Sequence, residues 1–435
     1  MAEKSSVAKQ RVLVLFLILC IMIAVTAVFA NHLEAQSHQS ERYQLTPELP
    51  LQSNYTITAT VTITPTATPS HTNFAILHLP LLFKHSLTAL PAPRPVSGEP
   101  PIDFSAARDQ AQAQGLDIAF NKIGFHVGVG GNREGLMESI EELDAAGVPV
   151  FLKTVNDAEP VYRTQEMMKK SGVSHILVYR DVDSVLNDPA DFSLPAAEVA
   201  QANWQYNKDN FPPELDPSLI WLETINEPGR VHSPWLAEFA LAQAKMAVAD
   251  GYKYAAFGWS SGVPEPEDWE LPGMLEFLRF AGDHPQSVAI ALHEYSLQRE
   301  FIASGDLPYP YTLGRFQKIF EICDKYNIPR PTILITEWGW TQEHVAGNGD
   351  GVDIAAAMDD IRWASWLYAA YPQVKGAAIW YLGESDNFGK IDDEAQQLIA
   401  PVHEFSLSSY YVIHPGQFPI DESLFFPNPP TTAER

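Results

Sequence analysis

At 435 residues, 46% hydrophobic and 19% charged, the chain is long enough for one large domain with appendages, and its composition is that of a globular protein with a sizeable core. With 28 Lys+Arg against 54 Asp+Glu the formal net charge is -26, which excludes nucleic acid as a partner because no basic stripe exists to neutralise phosphates. Of its two cysteines, Cys20 lies in an apolar N-terminal run and Cys323 in an expected helix, so no disulfide is expected and the redox compartment stays unread.

Lys4, Lys9 and Arg11 precede an uncharged apolar run from Val12 to Phe29. Residues 1–30 therefore read as an export signal or a membrane anchor. Val28 and Ala30 offer the two small positions of a cleavage site, whereas the length of the run approaches that of a spanning helix. Either way the charged start stays inside and the remainder is exported. The expected location is extracellular, secreted or tethered through residues 12–29 to the outer face of the membrane. Residues 31–101 read as a linker. Thr56 to Ser70 is almost wholly Thr, Ala, Ile, Val and Pro, an extended stalk with too little variety for a core. An apolar patch at Phe74–Phe83 interrupts it, and Pro91–Pro101 is a semi-rigid, proline-rich spacer.

From 102 to 400 strand-like apolar runs alternate with amphipathic helical ones, the pattern of a parallel α/β fold. The strands centre on Lys122–His126, Val150–Thr154, Ile176–Tyr179, Ile220–Glu227, Tyr254–Trp259, Val288–Tyr295, Ile333–Trp338 and Ala377–Tyr381. Helical stretches fit at 133–146, 196–208, 235–250, 269–281, 312–326 and 353–370, with a poorly defined one near 158–172. Eight such units match a (β/α)8 TIM barrel. A doubly wound sheet is the competitor, but no Gly-x-Gly-x-x-Gly follows the first strand; Gly128 to Gly131 has the wrong spacing and reads as a flexible loop. Residues 401–435, rich in Pro, Phe and Tyr, form a C-terminal extension expected to wrap the outside.

Two of the strand-like runs end in a carboxylate. Trp221-Leu-Glu-Thr-Ile-Asn-Glu-Pro228 closes on Asn226 and Glu227 before a proline that cannot continue a ladder, and Thr332-Ile-Leu-Ile-Thr-Glu-Trp-Gly-Trp340 carries Glu337. In a barrel, strand C-termini converge on one mouth. Besides the glutamates, that mouth would receive His126, Tyr179, Arg180, Trp259, Ser260, His293, Tyr295, Trp338 and Trp380. Paired carboxylates with aromatic platforms and hydrogen-bonding side chains suit a neutral sugar. Lys153 and Arg180 read as structural partners of Glu223, a carboxylate placed deeper than Glu227 that needs a cation if buried.

The Asn-Glu-Pro at 226–228 and the Thr-Glu-Trp-Gly at 336–339 resemble the fourth- and seventh-strand motifs of the clan A glycoside hydrolases, of which family 5 is one branch. The resemblance covers roughly residues 118–400. It implies a retaining mechanism with Glu227 as acid/base and Glu337 as nucleophile. It also implies that Asn226 binds the sugar 2-hydroxyl, that Tyr295 hydrogen-bonds the nucleophile, and that Trp380 floors the cleaved-sugar subsite. His293, Trp259 and Trp338 complete the expected substrate-binding set. Family 5 members usually carry an arginine near the second strand and a histidine late on the third; here Lys153 and Arg180 stand in those regions.

Other chemistries lack their residues. There is no His-x-His at the first strand, no second histidine after His293-Glu294, and no Gly-x-Ser-x-Gly around Ser260-Ser261. No metal and no cofactor are expected. The expected activity is hydrolysis of an O-glycosidic bond, β-linked, in an extracellular polysaccharide or oligosaccharide. The alternative is a barrel that binds polysaccharide or cell wall without cleaving it. Sugar, linkage and oligomeric state are not legible in the sequence.

Overall fold

The computed structural model describes residues 90–182, 191–296, 311–340, 353–384 and 391–416. The apolar run, the stalk and the patch at 74–83 lie outside these residues, as does 417–435. Among the described residues no helix is long and apolar enough to cross a membrane.

Two short strands come first, β1 (Arg94–Ser97) and β2 (Asp117–Ala119). They are followed by β3 (Ile123–Val127), β4 (Phe151–Val155), β5 (Ile176–Arg180), β6 (Ile220–Glu223), β7 (Lys253–Trp259), β8 (Val288–Ser296), β9 (Thr332–Trp340) and β10 (Val374–Leu382). These eight close into a barrel in the order β10-β3-β4-β5-β6-β7-β8-β9, every neighbouring pair parallel. Helices alternate with them, so the fold is a (β/α)8 barrel. The expected strands fall on β3 to β10. β6 stops at Glu223, short of its expected end; Thr224 to Glu227 continue as irregular backbone.

Burial explains why both faces of each strand read as apolar. One face fills the barrel with Phe151, Val178, Trp221, Ala255, Ala289, Ala291, Leu334 and Ala378, where two large rings are accommodated by four alanines. The other face meets the helices. In Phe316–Lys325, for example, Phe316, Ile319, Phe320 and Cys323 are buried at helical spacing. The helix at Glu159–Ser171, indistinct in the sequence, has polar residues on its buried side. Thr164 donates to the Pro160 carbonyl at 2.8 Å and Gln165 to the Glu214 carbonyl at 3.2 Å, so hydrogen bonds replace the apolar signal.

A three-stranded antiparallel sheet, β1-β11-β2, was not anticipated. Here β11 is Ser409–Ile413, following a helix at Ile399–Ser408. β1 thus lies in the stretch read as linker, and residues 401–413 of the stretch read as a C-terminal extension form regular structure. The sheet stands at the N-terminal end of the barrel strands, because β2 runs into β3 after three residues.

Glu294 on β8 faces the helix layer and is fully buried. It accepts from the backbone N–H of Gly314 at 2.9 Å, from that of Arg315 at 3.1 Å and from the Tyr368 hydroxyl at 2.7 Å, tying strand to helix start. Burial still pushes its carboxyl from 4.5 up to about 7. The unfolded chain releases this proton earlier than the folded one, so Glu294 costs stability increasingly as pH rises from about 4.5 to about 7. Glu294→Gln cannot ionise. The stability of the variant relative to the wild type should therefore climb across that window, as read by urea denaturation at several pH values; a pH-independent difference would refute it.

Candidate active site

The site forms where β4, β5, β6, β8 and β9 present polar side chains to the C-terminal mouth of the barrel. A bulge in β7 prepares it. Phe257 and Gly258 have φ of 77° and 54°, and the register with β8 shifts between Ala256 and Trp259. Gly258 thereby turns its backbone inward. Its carbonyl accepts from Glu227 N–H at 2.9 Å, and a Cβ there would stand 2.9 Å from Glu223 Oε1. Glycine is required on both counts, positive φ and close approach. Glu227 itself has φ 45°, a strained conformation for a side-chain-bearing residue that this contact helps to hold.

Glu227 and Glu337 face each other across His293. The Nδ1 of His293 is 2.9 Å from Glu227 Oε1 and 3.4 Å from Glu337 Oε2, so Nδ1 between two carboxylates carries the proton. A ligand oxygen of each glutamate and that nitrogen all lie within 4.8 Å of one another. The two carboxyls differ sharply in surroundings: the Glu227 side chain is 43% exposed, that of Glu337 only 8%. Glu337 Oε2 accepts from the Tyr295 hydroxyl at 2.8 Å, while Oε1 lies 3.4 Å from Lys153 Nζ and 3.6 Å from Arg180 Nη2. Burial alone would raise the Glu337 carboxyl, but His293, Lys153 and Arg180 outweigh it and hold the group well below the usual carboxylate range. Burial and the Glu337 charge push the Tyr295 phenol well up, so it stays a donor.

Beneath this pair sits a sealed ion network. Glu223 Oε2 is 2.7 Å from Lys153 Nζ and 3.5 Å from Arg180 Nη1, and Oε1 accepts from the Thr336 hydroxyl at 2.9 Å. Lys153 and Arg180 do pair with Glu223, but they also bracket Glu337, which reading them as structural missed. The signal was their place on β4 and β5, whose C-terminal ends open on the same mouth as those of β6 and β9. Arg180 Nη1 further donates to Asn226 Oδ1, orienting that amide. The His126 ring lies 3.9 Å from Glu337 Oε1, and burial and Lys153 push it towards the neutral form.

The aromatic residues divide. Trp380 is half-buried, edge-on to Tyr295 at 6.3 Å between ring centroids and stacked on Tyr381 at 5.1 Å. Trp259 and Trp338, expected to bind substrate, are both 0% exposed. The bulge at Phe257 turns Trp259 onto Phe257, with centroids 5.2 Å apart, in the cluster that faces the helices. Trp338 alternates with Glu337 and packs against Trp340 on that same outer side. Neither has a face to offer a ligand, so the structure assigns both to packing. The Gly128–Gly131 loop is fitted against the end of β10: Gly128 N–H donates to Leu382 O at 3.1 Å, and a Cβ on Gly131 would meet Gly383 backbone at 2.6 Å.

Glu227, His293 and Glu337 are the only acidic and histidine side chains among the described residues grouped closely enough to share a cation. They fit one poorly. The Nδ1 of His293 is engaged as a donor, and Lys153 and Arg180 already supply the positive charge beside Glu337.

No family model and no curated protein matches the chain. Solved structures similar to it include an endo-beta-1,4-glucanase of Xanthomonas axonopodis pv. citri, 13% identical with a TM-score of 0.38, covering 66% of this chain and 99% of that one. A glycoside hydrolase family 5 enzyme of Prevotella bryantii B14, also solved with a xyloglucan tetradecasaccharide, is 12% identical with a TM-score of 0.35 over 66% and 97%. A family 5 lichenase of Caldicellulosiruptor sp. F32 is 11% identical with a TM-score of 0.36 over 73% and 99%. At such scores a functional reading has to rest on the site of this chain rather than on theirs.

Proposed function

We propose that the chain is a retaining O-glycoside hydrolase acting on a β-linked glycan. The observation that carries this reading is the asymmetric glutamate pair. Glu337 is buried, ionised and held by Tyr295 and Lys153, which suits a nucleophile. Glu227 is half-exposed opposite it, which suits a group that gives a proton to a leaving oxygen and later takes one from water. Both carboxyls reach the same His293 nitrogen, at 2.9 and 3.4 Å, and so close a pairing favours double displacement over inversion, which needs roughly 6.5–9.5 Å between the carboxyls to admit a water. Asn226, with Oδ1 taken by Arg180, has its NH2 for a sugar hydroxyl, and Trp380 offers a partly open indole face for stacking. Export follows from the apolar run at 12–29, and the barrel works outside the cell, secreted or tethered.

The test is release of reducing sugar from a panel of soluble and insoluble β-glycans, run beside a pull-down on the same polymers. Release that disappears in Glu337→Ala supports the proposal. Binding to a polymer with no release by the wild type would replace it with a non-catalytic binding barrel.

A further inference from the structure

We infer that Glu223 is a positioning residue for this hydrolysis, fixing Lys153 from below so that its ammonium stays charged and aimed at Glu337. The inference rests on the reading of Glu337 as nucleophile. Glu223 and Lys153 are both fully buried and 2.7 Å apart, whereas Lys153 stands 3.4 Å from Glu337. The lysine therefore hangs from Glu223 and reaches up to the reactive carboxylate. Glu223 is fixed in turn by the Thr336 hydroxyl at 2.9 Å, from the residue next to Glu337, and is walled by Gly258.

The need for a second carboxylate follows from the reaction. When Glu337 attacks the anomeric carbon, its oxygen forms the glycosyl ester and the bond to the leaving oxygen, protonated by Glu227, breaks. Glu337 is then neutral until water hydrolyses the ester. During that interval Lys153 loses one counter-charge and still faces the Arg180 guanidinium. A buried lysine, unlike arginine, sheds its proton readily under such conditions. Glu223 is the counter-charge that persists through both half-reactions.

The groups facing Lys153 are His126 from β3, Arg180 from β5, Glu223 from β6 and Glu337 from β9. Burial and then Arg180 drive the ammonium down; Glu223 and Glu337 oppose them. Glu223 also faces His293 from β8 and Tyr254 from β7, the latter held neutral by burial. Glu337 also faces Tyr295 from β8, Tyr381 from β10 and Glu227.

Glu223→Gln keeps the shape and an accepting oxygen but removes the charge. In protein labelled at the lysine ε-carbon, the Lys153 resonance, assigned by its loss in Lys153→Arg, should titrate at least about one pH unit lower in Glu223→Gln than in the wild type. This readout needs no substrate, so it stands apart from any failure to find hydrolysis. On a cleaved glycan, the kcat deficit of Glu223→Gln relative to the wild type should deepen as pH rises through that titration. The pH dependence of the deficit should vanish when Lys153→Arg is added. A Lys153 titration that does not move, or a deficit equal at every pH, would overturn the inference. If the glutamine variant does not fold, Glu223→Asp serves instead: it keeps the charge, so a Lys153 titration close to the wild type supports the inference, and a fall as large as that forecast for glutamine sinks it.

Discussion

Glu337→Ala should leave no measurable turnover on any glycan that the wild type cleaves, while Glu227→Ala should fail selectively. The difference follows from the role that the proposed double displacement gives each carboxyl. Without Glu337 no covalent intermediate forms, whatever the leaving group. Without Glu227 natural substrates lose the proton their leaving oxygen needs, a loss of about 10²–10⁴-fold. Aryl glycosides with acidic phenols leave unaided, so their first step should survive in Glu227→Ala and the glycosyl-enzyme should accumulate. A small anion such as azide should then relieve the block, entering where Glu227 stood, the more open of the two positions. A slowly hydrolysed fluorosugar should label Glu337 alone, and the first-formed product should keep the anomeric configuration of the substrate. Label on Glu227 would reverse the two roles, and wild-type turnover in both alanine variants would place the chemistry elsewhere.

What the sequence could show was set by pattern. Eight apolar runs separated by helical periodicity are visible because burial on both faces leaves a strong signal in β3 to β10. Strands such as β1 and β2, with four and three residues, leave almost none, especially beside prolines. The convergence of Glu227, His293, Tyr295 and Glu337 could be anticipated because each stands near the end of a parallel strand, and topology brings such ends together. Side-chain direction could not. Strand alternation would place Phe257 and Ala255 on one face, but the positive φ at Phe257 and Gly258 breaks the alternation and sends Trp259 to the helix layer. Nor does one sequence reveal that Lys153 serves two carboxylates at once, since that depends on a depth along the barrel axis that spacing does not encode.

The ion network also makes a single substitution costly to stability. Lys153→Met should cost about 3–5 kcal/mol, because it leaves Glu223 buried with Arg180, and Glu337 buried with Arg180 and the His293 ring, as their remaining close partners. The methionine removes the desolvation cost of a buried ammonium, but two carboxylates losing their partner outweigh that gain. Direction with pH distinguishes this from a mere packing defect. In the wild type Glu223 and Glu337 are both held below 4.5, despite burial, chiefly by the Lys153, Arg180 and His293 charges. Such groups contribute stability that is fully present above their unfolded value and is lost as pH falls through the folded one. Without Lys153 their folded values rise, and less of that stability exists to lose. The deficit of Lys153→Met should therefore be largest above about pH 4.5 and shrink as the medium becomes more acid, where both carboxyls take up protons and no longer need a cation. Lys153→Arg restores the charge and should recover most of the loss, short of what its bulkier head disturbs. Urea denaturation of the three proteins between pH 3 and pH 8 reads all of this directly. A deficit that stays constant over that range would mean that the lysine contributes volume rather than charge.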